Sequence, residues 1–134
     1  MKRYLLDTSA LLTLRDNEPG ADLVADLLSQ AENKKINCFA CFMTLMEILY
    51  RVWKDEDQPA GRLAYDQVQA LPITWIHENQ QLLEKSAMLK ATHAVSLADA
   101  WIAANAILED AVLVHKDPEF LILDCPQLEL PFKK

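Results

Sequence analysis

Lys2-Arg3-Tyr4-Leu5-Leu6-Asp7-Thr8-Ser9-Ala10-Leu11-Leu12 opens the chain with a short apolar run that ends on one carboxylate and two hydroxyls. Tyr4, Leu5 and Leu6 are too few for a helix of their own and suit a strand buried on both faces. Asp7 stands where that strand stops. From Thr8 onward Ala10, Leu11, Leu12 and Leu14 favour a helix, and Asp7, Thr8 or Ser9 could each cap its first free N–H groups. Two readings of Asp7 therefore stand side by side: a helix cap, and the first piece of a metal site. The rest of the chain decides between them.

Outward from this stretch, strands and helices alternate. Asn17-Glu18-Pro19-Gly20 signals a turn, and Leu23, Val24, Leu27 and Leu28 give one apolar face to a helix from Ala21 to about Ala31. Ile36 to Cys41 is apolar enough for a second buried strand. The next helix, roughly Met43 to Lys54, buries Leu45, Ile48, Leu49 and Val52, with Glu47 on its polar edge beside Thr44, Arg51 and Lys54. Glu47 has an innocent use, a pair with Arg51 one turn on. Asp55 to Pro59 is a charged break, followed by a helix from about Ala60 to Ala70 and a strand over Ile73-Thr74-Trp75-Ile76. His77-Glu78-Asn79 opens a helix through Leu82, Leu83, Ala87 and Leu89, and His77 and His93 are surface or capping residues on this reading.

Ser96-Leu97-Ala98-Asp99 has the form of a capping box at the head of an alanine-rich helix running to about Leu108. Small residues there let the helix approach its neighbours closely, with Trp101 as a core or interface anchor. Ala111-Val112-Leu113-Val114 is another buried strand, and Asp117 before Pro118 is again a plausible cap with proline at the first helical position. The tail from Leu121 to Leu130 adds a last short strand, after which Pro131 to Lys134 trails off.

At 134 residues the expectation is one domain spanning 1–134, large enough to stand on its own core without disulfides or a structural metal. No apolar run approaches the roughly 20 residues that span a bilayer, and the N-terminus lacks the pattern of a signal peptide, so a cytoplasmic, non-membrane protein is expected. An odd count of cysteines, Cys38, Cys41 and Cys125, agrees. Cys38 and Cys41 match the spacing of one half of a zinc site, but positions three apart in a strand point to opposite faces and no second pair completes four ligands. A net charge of −7 and a pI near 4.8 argue against a broad basic surface gripping nucleic acid. They permit acids gathered around a divalent cation, or an acidic surface that recruits a basic partner.

Alternating strands and helices imply an α/β fold: three layers, α/β/α, around a central and mostly parallel sheet of four to five strands. Sites in such sheets lie beyond the carboxyl ends of the strands. Asp7 and Asp117 follow strands directly, Asp99 heads a helix, and Glu47 lies about one turn into a helix that also follows a strand. All four can meet at one edge. Four carboxylates crowded without a counter-ion would repel one another and raise their own pKa values. A divalent cation resolves that conflict, and carboxylate donors suit Mg²⁺ or Mn²⁺.

Leu5-Leu6-Asp7-Thr8-Ser9-Ala10-Leu11, Thr44-Leu45-Met46-Glu47-Ile48, Ser96 to Ala104 around Asp99, and Leu113-Val114-His115-Lys116-Asp117-Pro118-Glu119-Phe120 resemble the PIN-domain pattern in order and spacing, over nearly the whole chain. At this size the chain looks most like the toxin of a VapBC-type toxin–antitoxin pair. The resemblance implies a Mg²⁺- or Mn²⁺-dependent endoribonuclease with Asp7, Glu47, Asp99 and Asp117 as catalytic, metal-holding acids and Ser9 in support. It further implies attack by water, products with a 5′-phosphate and a 3′-hydroxyl, a small antitoxin that blocks the site with a basic side chain, and a homodimer. Tyr50 and Trp53 are candidate interface aromatics, though core burial explains either more simply. One departure is His115, where many relatives carry Thr or Ser; it could touch RNA, hold an acid in place or face solvent. Lys116 either meets a phosphate or is an ordinary surface lysine.

Two rivals remain on the sequence. One is a non-catalytic PIN-like module that binds RNA or protein. The other is a phosphatase of the haloacid-dehalogenase type, which wants a second Asp two residues after Asp7 where this chain has Ser9.

Overall fold

A computed structural model describes residues 1–131. The chain begins in the middle of its sheet. Strand β1, Arg3–Leu6, pairs in parallel with β2, Asn37–Cys41, on one side and with β4, Val112–His115, on the other. β3, Thr74–Ile76, extends the β2 edge and β5, Gln127–Glu129, the β4 edge. The order is β3-β2-β1-β4-β5, and every pairing is parallel. The expected sheet of four to five mostly parallel strands is thus five strands, parallel throughout.

Parallel strands need crossovers, and helices supply them on both faces. Helices α1, Thr8–Arg15, and α2, Ala21–Glu32, join β1 to β2, and α3, Phe42–Asp55, and α4, Gln58–Gln69, join β2 to β3. The long return from β3 to β4 uses α5, Gln80–Thr92, and α6, Leu97–Leu108. The strands read as continuous apolar runs because neighbouring residues feed different cores. Leu5, Phe39 and Leu113 pack under α5 and α6 with Leu82, Leu89 and Ile102. Leu6, Cys38 and Val114 pack under the other helices with Leu11, Val24, Ile48 and Val68. Cys38 and Cys41 fall into these opposite cores, as three-residue spacing in a strand requires.

Several boundaries differ from the sequence reading, each for a local reason. α4 starts at Gln58 rather than Ala60, because the Asp57 carboxylate accepts the Ala60 N–H (2.8 Å) and Pro59 fits in the first turn. The stretch after Asp117 forms a 3₁₀ turn, Pro118–Ile122, before the short β5. His77 is exposed and His93 caps the end of α5, as expected. Tyr50 and Trp53 are not core: they are 46% and 44% exposed and form a stripe along α3 with Met46. Trp101 does anchor a core, edge-on to Phe42 at 5.1 Å between ring centroids. Of the expected trailing end, Phe132, Lys133 and Lys134 lie outside the described residues.

At Gly61 a glycine is required by close approach. A Cβ there would lie 2.8 Å from the Leu49 carbonyl oxygen and 2.9 Å from Trp53 Cβ, so α3 and α4 touch backbone to backbone.

Candidate active site

The sheet reverses its winding between β1 and β4, and open α/β sheets carry their sites in the crevice beyond the carboxyl ends of the strands at such a point. Asp7 sits there. Its backbone N–H continues the ladder to the Val114 carbonyl (2.9 Å), which holds the residue rigidly at the mouth of the crevice. Its side chain is 3% exposed and serves as the N-cap of α1. Oδ2 accepts the Ser9 N–H (3.0 Å) and the Ser9 hydroxyl. Oδ1 is buried and has no hydrogen-bond partner among the described residues. Capping therefore uses one oxygen and leaves the other at the crevice, so the cap that the sequence allows is present and one carboxylate oxygen stays available beside it.

Ser9 does more than brace Asp7. Its hydroxyl also accepts the Lys116 N–H (2.9 Å), tying the residue after β1 to the segment after β4. The Thr8 hydroxyl donates to Glu47 Oε1 (2.7 Å) and lies 2.9 Å from the Thr44 hydroxyl, so α1 fixes the acid on α3. The expected Glu47–Arg51 pair does not form among the described ion pairs.

Asp99, 6% exposed, stands in the first turn of α6. The Ser96 hydroxyl accepts its N–H (3.2 Å), the first half of a capping box. The second half is supplied from elsewhere: the Ser96 N–H donates to Glu119, not to Asp99. Freed from capping, the Asp99 carboxyl joins those of Asp117 and Glu119, with one oxygen of each within 4.8 Å of the others.

Asp117 is held by His115, which is completely buried. The His115 Nδ1 accepts the Asp117 N–H (3.0 Å), which leaves the ring proton on Nε2, directed at Gln127 Oε1 (2.8 Å). Gln127 in turn donates to the Phe120 and Leu123 carbonyls (2.8 and 3.2 Å). Of the three roles the sequence left open for His115, the structure shows the second: it holds the acid in place. Lys116 is not a surface lysine; its side chain is 8% exposed and Nζ donates to the Pro19 carbonyl (2.7 Å), 3.5 Å from Glu18.

Asp7, Ser9, Glu47, Asp99 and Asp117 thus line one pocket of about 180 Å³ together with Thr8, Arg51, Lys116 and Pro118. The crowding has the expected electrostatic cost. Burial pushes the Asp7 carboxyl up to about 6, and the charges of Glu47 and Asp117 add to that against the lowering effect of Ser9. Asp99 is pushed up to about 9, first by burial, then by hydrogen bonding to Glu119 and the charges of Asp7 and Asp117. A hard divalent cation fits this donor set: the oxygens are carboxylate, the acids outnumber the cations Arg51 and Lys116 at the pocket, and Asp7 Oδ1 is a buried acceptor in need of a partner.

The sequence reading missed Glu119 and Thr8. Glu119 lay inside a quoted motif, but its cap partner is 23 residues earlier, a separation no local pattern carries. For Thr8 the signal was its position beside Asp7, where three candidate caps competed.

A five-stranded parallel sheet with an acid-lined crevice at its switch point makes this an α/β protein whose candidate site lies where open parallel sheets carry theirs. The PIN domain family model matches residues 4–124, and the chain belongs to that family. No curated protein sequence matches it significantly. Among solved structures, a chain of the VapBC2 complex of Rickettsia felis bound to a promoter DNA fragment superimposes with a TM-score of 0.77 at 18% identity, covering 96% of this chain and 99% of that one. DNA-bound VapBC from Salmonella typhimurium gives 0.76 at 18% identity, with 96% and 98% covered. VapC20 of Mycobacterium tuberculosis, described as a toxin that cleaves the sarcin–ricin loop, gives 0.69 at 14% identity, with 89% and 93% covered. At these identities the likeness is one of fold.

Proposed function

We propose that this chain is a divalent-metal-dependent endoribonuclease, a single PIN domain acting as the toxin of a toxin–antitoxin pair. The observation that carries the reading is the convergence of Asp7, Glu47, Asp99 and Asp117 on one pocket where Asp7 Oδ1 is buried and unpartnered. These four acids are the catalytic and metal-holding residues in this reading, with Glu119 added to the Asp99 and Asp117 side. Bound Mg²⁺ or Mn²⁺ would supply charge neutralisation at the phosphate and activation of water. The residues themselves do the positioning. Thr8 orients Glu47, Ser9 orients Asp7, and His115 fixes the backbone of Asp117.

The RNA cleaved is single-stranded or looped, because unpaired bases can be splayed out to let a phosphodiester enter a shallow acidic pocket. Family membership and the toxin named among the similar structures support RNA as the substrate class. The VapBC complexes among the similar structures support an antitoxin partner, and the acidity of the pocket suits a basic side chain from it. Two-fold association is part of the same proposal, with Met46, Tyr50 and Trp53 as exposed candidates for the contact. Among the described residues no helix is long and apolar enough to cross a membrane, which is compatible with work in the cytoplasm.

The test is cleavage of a panel of purified tRNAs and ribosomal RNA fragments with Mg²⁺, Mn²⁺ or EDTA, after removal of any copurifying partner. Wild type is expected to make site-specific cuts that need metal, and Asp7→Asn and Asp99→Asn to make none while keeping a native circular dichroism spectrum. A folded wild type that leaves every RNA intact would overturn the nuclease and leave a binding module in its place.

A further inference from the structure

Next to the acidic pocket, and opening into it, is a larger polar trough of about 390 Å³, bounded by the ends of α1 and α3 and the α1–α2 connection. Ser9, Arg51 and Lys116 line both depressions. Its volume falls in the range of roughly 300–1,000 Å³ typical of ligand sites. Among the described residues three cations line it against the four carboxylates of Asp16, Glu18, Asp55 and Glu56, and two of the cations are already committed. Arg15 is paired with Glu56 at 2.8 Å and with Asp16 at 3.1 Å, while Lys116 is spent on Glu18 and the Pro19 carbonyl.

Arg51 is different. It is exposed, and among the described residues no hydrogen bond, ion pair or ring contact holds its guanidinium. One turn after Glu47 on α3, it shares that residue's face yet makes no ion pair with it, while the Thr8 hydroxyl donates to Glu47 Oε1.

A polyanion approaching this pocket meets a chain of net charge −7 and a cluster of carboxylates. Metal offsets the charge at the reacting phosphate only; the neighbouring phosphates need a cation of their own. A guanidinium presents a planar fork that matches phosphate oxygens two at a time, and an unpaired one loses no internal bond on doing so. We infer that Arg51, at the rim shared by the acidic pocket and this trough, binds the RNA phosphate adjoining the scissile one. The inference rests on the nuclease reading above and names the residue that seats the substrate.

The test is fluorescence anisotropy of a fluorescein-labelled, mixed-sequence single-stranded RNA oligonucleotide on the full chain, with Ca²⁺ in place of Mg²⁺, over a salt series. Arg51→Ala should weaken binding about tenfold, the worth of one charge-assisted contact, and flatten the dependence of log K on log salt by about 0.7, the value for one phosphate on a single strand. Arg51→Lys should recover the slope, because it keeps the charge. Arg62→Ala removes the same charge from the exposed surface of α4 and should change neither quantity. Equal affinity and slope for wild type and Arg51→Ala would overturn the inference while leaving the nuclease standing. So would a wild type that binds no oligonucleotide, since phosphate contacts are sequence-independent; the RNA panel decides the nuclease separately.

Discussion

Asp7 shows how one side chain can be structural and chemical at once. Its Oδ2 accepts one orphaned donor of α1, the Ser9 N–H, and among the described residues its Oδ1 has no hydrogen-bond partner. Asparagine caps as well as aspartate but carries no charge. Asp7→Asn should therefore keep the fold, with a melting temperature at or above that of wild type, and lose RNA cleavage by at least about 100-fold, the upper end for outer-shell residues around a metal. Ser9 is such an outer residue. Ser9→Ala should lower Mn²⁺ affinity about 10–100-fold in a calorimetric titration, because the Asp7 carboxylate loses its brace and the β1–β4 tie to Lys116 goes with it. His115 works through the backbone instead. His115→Ala leaves the Asp117 N–H and the Gln127 carbonyl oxygen unpaired in a buried place, at a cost of about 1–3 kcal/mol in urea unfolding. Of the residues lining this pocket, Asp7, Ser9, Glu47, Asp99 and Asp117 stood out in the chain as candidates, whereas Thr8 and Arg51, and Glu119 beside them, did not; the Thr8–Glu47 and Ser96–Glu119 bonds were not legible, since their partners lie on different elements.

The alternation of elements could be read because period and punctuation agree. Leu23, Val24, Leu27 and Leu28 mark α2, and the parallel strands announce themselves as unbroken apolar runs. Local chemistry misled where a cap or a neighbour outweighed the pattern. Asp57 starts α4 two residues early, and Tyr50 and Trp53 sit on a helix whose buried stripe lies on the opposite side, with Ile48 and Val52. The α3–α4 contact is decided by a single missing Cβ. Gly61→Ala would press on the Leu49 carbonyl and Trp53, and should destabilise by about 1–3 kcal/mol, read as a lower urea midpoint. Because α3 carries Glu47 and Arg51, the same change should also weaken cleavage more than its stability loss explains, which kinetics well below the melting temperature would detect.

The whole molecule stores repulsion in its site, and pH reports it. Asp7 and Asp99 bind protons more tightly in the folded chain than in the unfolded one, where both titrate near 3.8. Between those values the native state holds protons that the unfolded state has released, so stability falls as pH rises. In EDTA the unfolding free energy should drop from about pH 4 through pH 6 as Asp7 ionises, by up to about 3 kcal/mol from that residue, and continue to fall toward pH 9 as Asp99 does, read as a falling melting temperature. Mn²⁺ binds only the ionised acids, so it should restore the loss at pH 8 and do little at pH 4. A melting temperature flat with pH, or insensitive to Mn²⁺ at pH 8, would count against a metal site.

The sequence by itself determined the class of the fold and the list of four acids. Both are written locally, in apolar runs, caps and the residue that follows each strand. What only the tertiary structure decided is how those acids differ from one another. Asp7 is fixed at the crevice by its backbone bond to β4, Asp99 is released from its own capping box because Glu119 takes its place, and Glu47 turns to Thr8 rather than Arg51. Each outcome depends on groups far apart in the chain that meet only when the sheet closes in the order β3-β2-β1-β4-β5. Spacing along a chain specifies which residues can meet; the strand order specifies which hydrogen bonds they trade when they do.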